Sequence, residues 1–235
     1  MRTKLTIMGI VLGAILLSFG ILLVLILALG LWTGVVMGAA IAAGVLLANF
    51  VVLAPWQHRW GATEEKVRRV MPGDEIIPKA DSTTRAITID ARPEGVWPWL
   101  VQLGYGRAGW YSYDWIDNDG KLSADQIVPE LQNLEVGDQI LMLPGFGPKV
   151  RGIKPNEWFV CGGEEDGTWC LALYPTPEGT VRLVSRWRQD WPLTPATIFW
   201  ILISDPGAFI MERKMLLNIK KRTENHERQL SGSAA

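Results

Sequence analysis

Residues 5–55 contain no Asp, Glu, Lys, Arg or His, and no other feature of the chain limits its folding as strongly. About twenty apolar residues cross a bilayer as a helix. This stretch therefore predicts two spans, residues 5–29 and 31–54, with Pro55 ending the second. Residues 1–55 are expected to form a transmembrane helical hairpin, which excludes a fully soluble protein and makes the lipid bilayer a partner.

Positive charge lies on both flanks of this hairpin. Arg2 and Lys4 precede the first span, the turn near residues 30–34 is uncharged, and the second span is followed by Arg59, Lys66, Arg68 and Arg69. Cytoplasmic flanks carry an excess of Lys and Arg. Both termini are therefore expected in the cytoplasm, with the hairpin in the inner (plasma) membrane. A cleaved signal peptide is disfavoured, because its apolar core usually has about 7–15 residues.

Small residues recur four positions apart in the hairpin, at Gly9 and Gly13, at Gly30, Gly34 and Gly38, and at Ala40 and Gly44. This spacing lets helix backbones approach closely. It is explained by packing of the two spans against each other, with homodimerisation as the alternative. The spans contain no ionisable group, and a transport path would need such groups. The hairpin is therefore interpreted as an anchor.

The composition excludes several classes of function. Lys and Arg number 23 against 24 Asp and Glu, whereas nucleic-acid binding needs a basic surplus. The two Cys exclude a disulfide scaffold, and the two His lie far from any set of metal ligands. Gly104–Gly109 matches G-x-G-x-x-G but follows a helix pattern rather than a strand. Neither a metal nor a cofactor is predicted.

The rest of the chain predicts one α+β domain. Residues 56–83 form a polar connector, residues 84–228 the domain, and residues 229–235 a disordered tail. A strand at residues 84–90 precedes a helix from Pro93 and a short helix at residues 123–131. Further strands are predicted at residues 139–143, 149–153, 158–161, 168–174 and 180–188. The short connections between them indicate hairpins in an antiparallel sheet.

The last strand predicts how the sheet faces are used. Val181, Leu183 and Trp187 alternate with Arg182, Arg186 and Arg188, so one face is expected to pack and the other to meet water. Beyond it, residues 196–203 are apolar, and Asp205 and Pro206 signal a second helix start. Two helices with a break are therefore expected. The stripe with Met211 and Met215 faces the packed side of the sheet.

Five strings of the sequence can be compared with known families: RWGAT at 59–63, TRAITI at 84–89, VWPWL at 96–100, GWYSYD at 109–114 and MERKML at 211–216. They resemble those of bacterial members of the START-like, polyketide-cyclase and lipid-transport superfamily (SRPBCC). The resemblance covers about residues 59–225. It implies a helix-grip fold, in which an antiparallel sheet wraps a long C-terminal helix around a cavity. The superfamily shares a fold rather than one reaction, so it implies no catalytic residues.

A pocket for an apolar ligand is expected to combine aromatic faces with a few polar groups. The candidates are Arg107, Trp110, Tyr111, Tyr113, Asp114, Trp115, Leu183, Trp187, Met211 and Met215. The alternative is a loop core in which Arg107 and Asp114 simply pair. The charged string Glu212–Lys214 is more typical of a solvated helix face. Residues 196–203 are left with three interpretations: contact with the membrane interface, a cap on the cavity, or core.

Three functions remain open from the sequence. The first is a membrane-tethered module that binds a hydrophobic small molecule or lipid in a helix-grip cavity. The second is an enzyme of the cyclase or dehydratase type, for which Asp114, Tyr111, Tyr113 and Glu212 are the visible acid–base candidates. The third is a scaffold or regulatory domain without a ligand. A filled core favours the scaffold, and a buried charge facing a sizeable cavity favours the enzyme.

Overall fold

The computed structural model describes residues 2–165, 167–190 and 194–233 and has the expected α+β architecture. Two apolar helices come first, a five-stranded antiparallel sheet follows, and a long helix closes the chain. The helices are α1 (Arg2–Leu29), α2 (Leu31–Ala48), α3 (Ala54–His58), α4 (Glu64–Arg68), α5 (Pro93–Val101), α6 (Asp114–Asp117) and α7 (Pro195–Ser233). The strands are β1 (Asp81–Ile89), β2 (Val150–Lys154), β3 (Trp158–Gly163), β4 (Gly167–Pro175) and β5 (Val181–Gln189).

Helices α1 and α2 pack against each other as a hairpin. Leu12–Leu29 and Leu31–His58 are both long and apolar enough to cross a membrane. Gly30 makes the turn with a φ of 83°, which favours glycine. A Cβ on Gly34 would lie 2.6 Å from the Ile26 backbone, so the small residue is required for this contact. At Gly34, packing of α2 on α1 explains why a small residue is present. Homodimerisation through the other small residues stays a prediction.

Pro55 does not end the second span, contrary to expectation. A π-helical turn, Asn49–Leu53, follows α2, and the helical path continues through α3 to His58. Proline lacks an amide hydrogen and crowds the preceding turn, which disfavours an ordinary helix interior. Here it occupies the first turn of α3 directly after the wider π turn, where its missing donor costs little.

The sheet has the strand order β1-β5-β4-β3-β2, so the first strand pairs with the last. One of the six predicted strands, residues 139–143, is absent: isolated bridges alone join Gln139 to Lys149 and Leu143 to Phe146. Pro144 directly follows this segment and Pro148 lies in the stretch opposite it, and neither proline can donate to a ladder. The short helix predicted at residues 123–131 is reduced to the 3₁₀ turn Pro129–Leu131, because Pro129 suits a helix start but not an interior.

The inner face of the sheet packs on α7, as the alternation predicts. Ile89, Val181 and Leu183 are fully buried in one cluster with Leu216 and Ile219 of the helix. α7 is one continuous helix, so the predicted break at Pro206 is wrong. An internal proline costs about 3 kcal/mol, and packing of the following turns on the sheet offsets it. The helix extends to Ser233, into the segment expected to be disordered.

Most of the outer face of the sheet is covered instead of meeting water, contrary to expectation. The connector folds across it, and Arg186 is only 2% exposed. Its guanidinium donates to the carbonyl oxygens of Lys66, Val67 and Arg69 and to the Asp74 carboxylate, at 2.7–2.9 Å. Arg182 and Arg188 likewise donate to connector carbonyls. The reason is that the connector, lying on the sheet, has backbone carbonyl oxygens that need hydrogen-bond donors, and each guanidinium has five N–H donors.

The two cysteines are free and buried on opposite faces of the sheet. Cys161 pairs in register with Trp169 and lies in the inner cluster, whereas Cys170 lies in the outer one with Met71 and Val184. Neighbouring positions on a strand point to opposite sides, so the two thiols cannot form a disulfide without rebuilding the sheet. Burial raises the pKa of both thiols.

Candidate functional site

A groove of about 220 Å³ opens where the apolar hairpin meets the α+β domain. Three segments far apart in sequence form it: α3, the loop before α6, and the middle of α7. The lining residues are Trp56, Tyr113, Phe209, Ile210, Arg213, Lys214 and Leu217. We call these seven residues the base groove. Because no two segments are neighbours in the chain, the site exists only in the folded molecule.

α7 contributes five of these residues from one side of the helix. Phe209, Arg213 and Leu217 are spaced four apart, and so are Ile210 and Lys214, which places the five residues in two adjacent rows that form one stripe of the helix. The stripe mixes apolar and basic side chains, so it is neither an ordinary core face nor an ordinary solvated face. These five residues therefore offer both apolar and cationic contacts on one side of the groove.

The apolar part of the base groove is partly open. Trp56 is 55% exposed, Ile210 51% and Leu217 38%. Phe209 is buried between the hairpin and the domain, with its ring centroid 5.2 Å from Trp56 and 6.4 Å from Trp60. Exposed apolar side chains that cluster in a concavity mark an interaction site. An apolar chain or ring lying here would cover them.

The basic part of the base groove lies against aromatic rings. Lys214 Nζ is 3.7 Å from the Tyr113 ring centroid, and the Arg213 guanidinium carbon is 5.1 Å from that of Trp60. Within residues 2–165, 167–190 and 194–233, neither cation pairs with a carboxylate. Cation–π contacts orient the charge but use the ring face rather than an acceptor, so N–H donors remain for a ligand.

Both ends of the hairpin reach the region of the base groove. α1 contacts α6, which directly follows Tyr113, while α3 contacts β1 and α7. Trp56 lies on α3, at the end of the second apolar helix. The groove is therefore positioned by the hairpin as well as by the domain.

A buried ionic network lies next to the groove. Arg85, on the inner face of β1, is paired with Glu212, and Arg85 Nε donates to the Gln57 carbonyl oxygen at 2.9 Å. Asp205 lies 4.0 Å from Arg85 and 2.6 Å from His58 Nε2. The network joins α3, β1 and α7. Glu212, predicted to be solvated, is 9% exposed because its side chain turns toward the sheet.

Of the predicted site residues, only Tyr113 lines the base groove. Trp115 lies beside it, with ring centroids 6.5 Å apart, and is 55% exposed. Met211 lies on α7 between groove positions, and its carbonyl oxygen accepts from Ser112 at 2.9 Å. The aromatic loop therefore reaches the site at one edge, and the remaining candidates lie elsewhere.

Tyr111 joins the loop to the core. Its hydroxyl accepts from the Gln102 amide at 2.6 Å, and its carbonyl oxygen accepts from Asn218 of α7 at 2.7 Å. The Arg222 guanidinium lies 4.6 Å from the ring centroid. Burial raises the pKa of Tyr111 to about 12, which makes the phenol a poor general base at neutral pH.

Four more candidates belong to the inner core. Leu183 and Met215 are buried between sheet and helix. Trp110, Trp169 and Trp187 form a ladder with successive ring centroids 5.7 and 5.1 Å apart, the second pair stacked. These side chains pack on the inner side of the sheet, where the helix-grip cavity was expected to lie. Residues 196–203, over which the alternatives of cap, core and membrane contact were left open, have side chains outside the described part of the structure.

Arg107 and Asp114 do not pair, contrary to the alternative considered above. Arg107 donates to the carbonyl oxygens of Val101 at 2.9 Å and Leu131 at 3.2 Å. Asp114 accepts from the backbone and hydroxyl of Ser123. Each side chain satisfies backbone or loop groups, because the turns here leave polar groups without regular partners. Both hold the loop in shape.

Comparisons with known proteins identify structural similarity only. No protein-family model matches the chain, and no curated protein does. Protein MLL2253 from Mesorhizobium loti is 14% identical, with 62% of this chain and 98% of that one covered at a TM-score of 0.37. The Aha1 dimer from Colwellia psychrerythraea is 18% identical, with 60% and 98% covered at 0.35. The KanY protein is 13% identical, with 62% and 98% covered at 0.39.

At these identities and TM-scores the similarities assign neither a fold family, a substrate nor a partner. Membership of the superfamily suggested by the five sequence strings stays a prediction. Function has to be argued from the residues of this chain.

Proposed function

We propose that this protein is a membrane-tethered module that binds an amphiphilic lipid or similar hydrophobic small molecule in the base groove. The observation that carries the proposal is the concave group of half-exposed apolar side chains at the hairpin base. Leu183 and Met215, expected to line the helix-grip cavity, are buried between sheet and helix, whereas the base groove offers exposed apolar side chains. The groove is therefore the better site.

The proposal includes a location. The hairpin is taken to span the inner (plasma) membrane twice, with both termini in the cytoplasm, because basic residues flank both spans. Such a hairpin places Trp56 at the bilayer surface, where tryptophan side chains concentrate. A lipid would reach the groove from the adjoining leaflet without crossing water. The anchor would thus supply both position and ligand.

Native mass spectrometry of the full chain in mild detergent tests the proposal. The wild type should retain bound lipid, and the double variant Ile210→Gln with Leu217→Gln should retain about tenfold less. This factor assumes that each half-exposed apolar side chain contributes about 0.7 kcal/mol to lipid binding, less than full burial of such a side chain would. Two such contributions correspond to about a tenfold change in affinity. The matched control is Val136→Gln with Phe146→Gln, which changes two exposed apolar residues away from the groove and should bind as the wild type does.

A scaffold without a ligand is the second candidate, and the burial of Leu183 and Met215 in the inner core favours it. It predicts that the delipidated wild type takes up no lipid when lipid is returned. Equal retention by the groove variant and the wild type would place the ligand elsewhere. The enzyme alternative receives less support, because Glu212, its buried acid, is neutralised by Arg85.

A further inference from the structure

We infer that the base groove selects phospholipids of net negative charge, with Arg213 and Lys214 binding the headgroup phosphate. The inference rests on the proposed function and names its ligand class. It is carried by three independent observations, which concern the pairing of charges around the groove, the geometry of the two cations, and the position of the groove on the hairpin.

The acidic side chains nearest in sequence to the two cations are directed away from the groove. Glu212 precedes Arg213 directly, yet its carboxylate is buried against Arg85. Asp205 is engaged by His58 and lies 4.0 Å from Arg85. Neither acid lines the groove. The negative charge of this part of α7 is thus sequestered beneath the site, which leaves two adjacent positive charges at its surface.

The two cations are held in place but retain donors. Each lies over an aromatic ring, Lys214 on Tyr113 and Arg213 on Trp60. An ammonium has three N–H donors and a guanidinium five, and neither accepts. In the described part of the chain these donors meet no carboxylate, whereas a phosphate offers oxygen acceptors and negative charge together.

The position of the groove favours a lipid as the source of that phosphate. Trp56 is contributed by the helix that continues the second apolar span. Ile210 and Leu217 lie one turn to either side of the two cations on α7, so the apolar and basic contacts are continuous. A phospholipid has the same sequence of groups, an acyl region adjoining a phosphate. A headgroup without a positive charge of its own is attracted most strongly by the two cations of this site.

Titration of the delipidated full chain in neutral detergent tests the inference, with phosphatidylglycerol and phosphatidylcholine of identical acyl chains followed by native mass spectrometry. A basic residue near an anionic lipid surface contributes about a fivefold gain in affinity. Arg213→Gln with Lys214→Gln should therefore weaken phosphatidylglycerol binding by about 25-fold, and change phosphatidylcholine binding little. The charge-conserving exchange Arg213→Lys with Lys214→Arg should keep the preference.

Arg68→Gln with Lys79→Gln is the matched control, since it removes two exposed charges of the connector that do not line the groove. It should leave both affinities unchanged, and so should added inorganic phosphate at matched ionic strength. Equal binding of the two lipids by the wild type would overturn the inference and leave the proposed function standing. An equal loss for both lipids in the glutamine variant would also overturn it. Binding of neither lipid by the wild type would remove both proposals.

Discussion

Glu212→Gln is the substitution that should reveal how the hairpin end and the domain are held together. Arg85 and Glu212 are 3% and 9% exposed at their side chains and face each other between β1 and α7. Removing the carboxylate charge leaves the guanidinium buried with the Gln57 carbonyl oxygen at 2.9 Å and Asp205 at 4.0 Å. These partners compensate only in part, because one is neutral and the other is already engaged by His58.

The expected cost follows from the burial of the pair. Breaking a buried ion pair on one side destabilises a protein by about 3–5 kcal/mol. The remaining partners of Arg85 reduce this to about 2–4 kcal/mol for Glu212→Gln. In a domain of this size each kcal/mol lowers the melting temperature by about 2–4 °C. The melting temperature should therefore fall by about 5–15 °C.

Thermal unfolding of the full chain in mild detergent, followed by tryptophan fluorescence, measures this. The double variant Arg85→Met with Glu212→Leu should recover most of the loss, since apolar replacement of a buried pair is often neutral. Glu157→Gln is the control: its pair with Lys154 is half exposed at 2.7 Å and should contribute less than about 1 kcal/mol. A Glu212→Gln protein as stable as this control, or a double variant weaker than the single one, would refute the reasoning.

Three further predictions concern other parts of the molecule. Burial, with a smaller contribution from the Asp114 carboxylate, raises the pKa of Asp117 to about 6, so stability should fall as pH rises from about 4 to about 6. Asp117→Asn should then increase the free energy of unfolding at pH 7.5 by about 1–3 kcal/mol, seen as a higher melting temperature, and should give no gain at pH 4. A gain of equal size at both pH values would contradict the raised pKa as its cause. Gly34→Ala should destabilise the hairpin because its Cβ would lie 2.6 Å from the Ile26 backbone, whereas Gly44→Ala meets nothing within 4 Å and should not; cysteine cross-linking of α1 to α2 in membranes would compare them. Reporter fusions at Met1 and Ala235 should both report the cytoplasm, and an external signal from either would overturn the proposed topology.

The sequence by itself predicted those features that depend on local pattern. A stretch without charge over 51 residues specifies two apolar helices whatever follows it. Alternation along β5 correctly predicted that Val181 and Leu183 face α7, because side chains on a strand point to opposite sides in turn. Antiparallel pairing followed from the short turns between the strands. None of these inferences needed knowledge of what lies across the sheet.

Tertiary structure decided what each predicted face contacts. Alternation showed that Arg186 points to the sheet face opposite that of Val181. That this face meets water was an assumption, and the connector covers Arg186 instead. Glu212 follows the pattern of an exposed helix residue until Arg85, distant in the chain, supplies its partner. The base groove joins Trp56, Tyr113 and α7, which no periodicity connects. The periodicity of a sequence assigns residues to one face of a helix or strand. The burial of those residues, their partners and their pKa values depend on which other parts of the chain pack against that face.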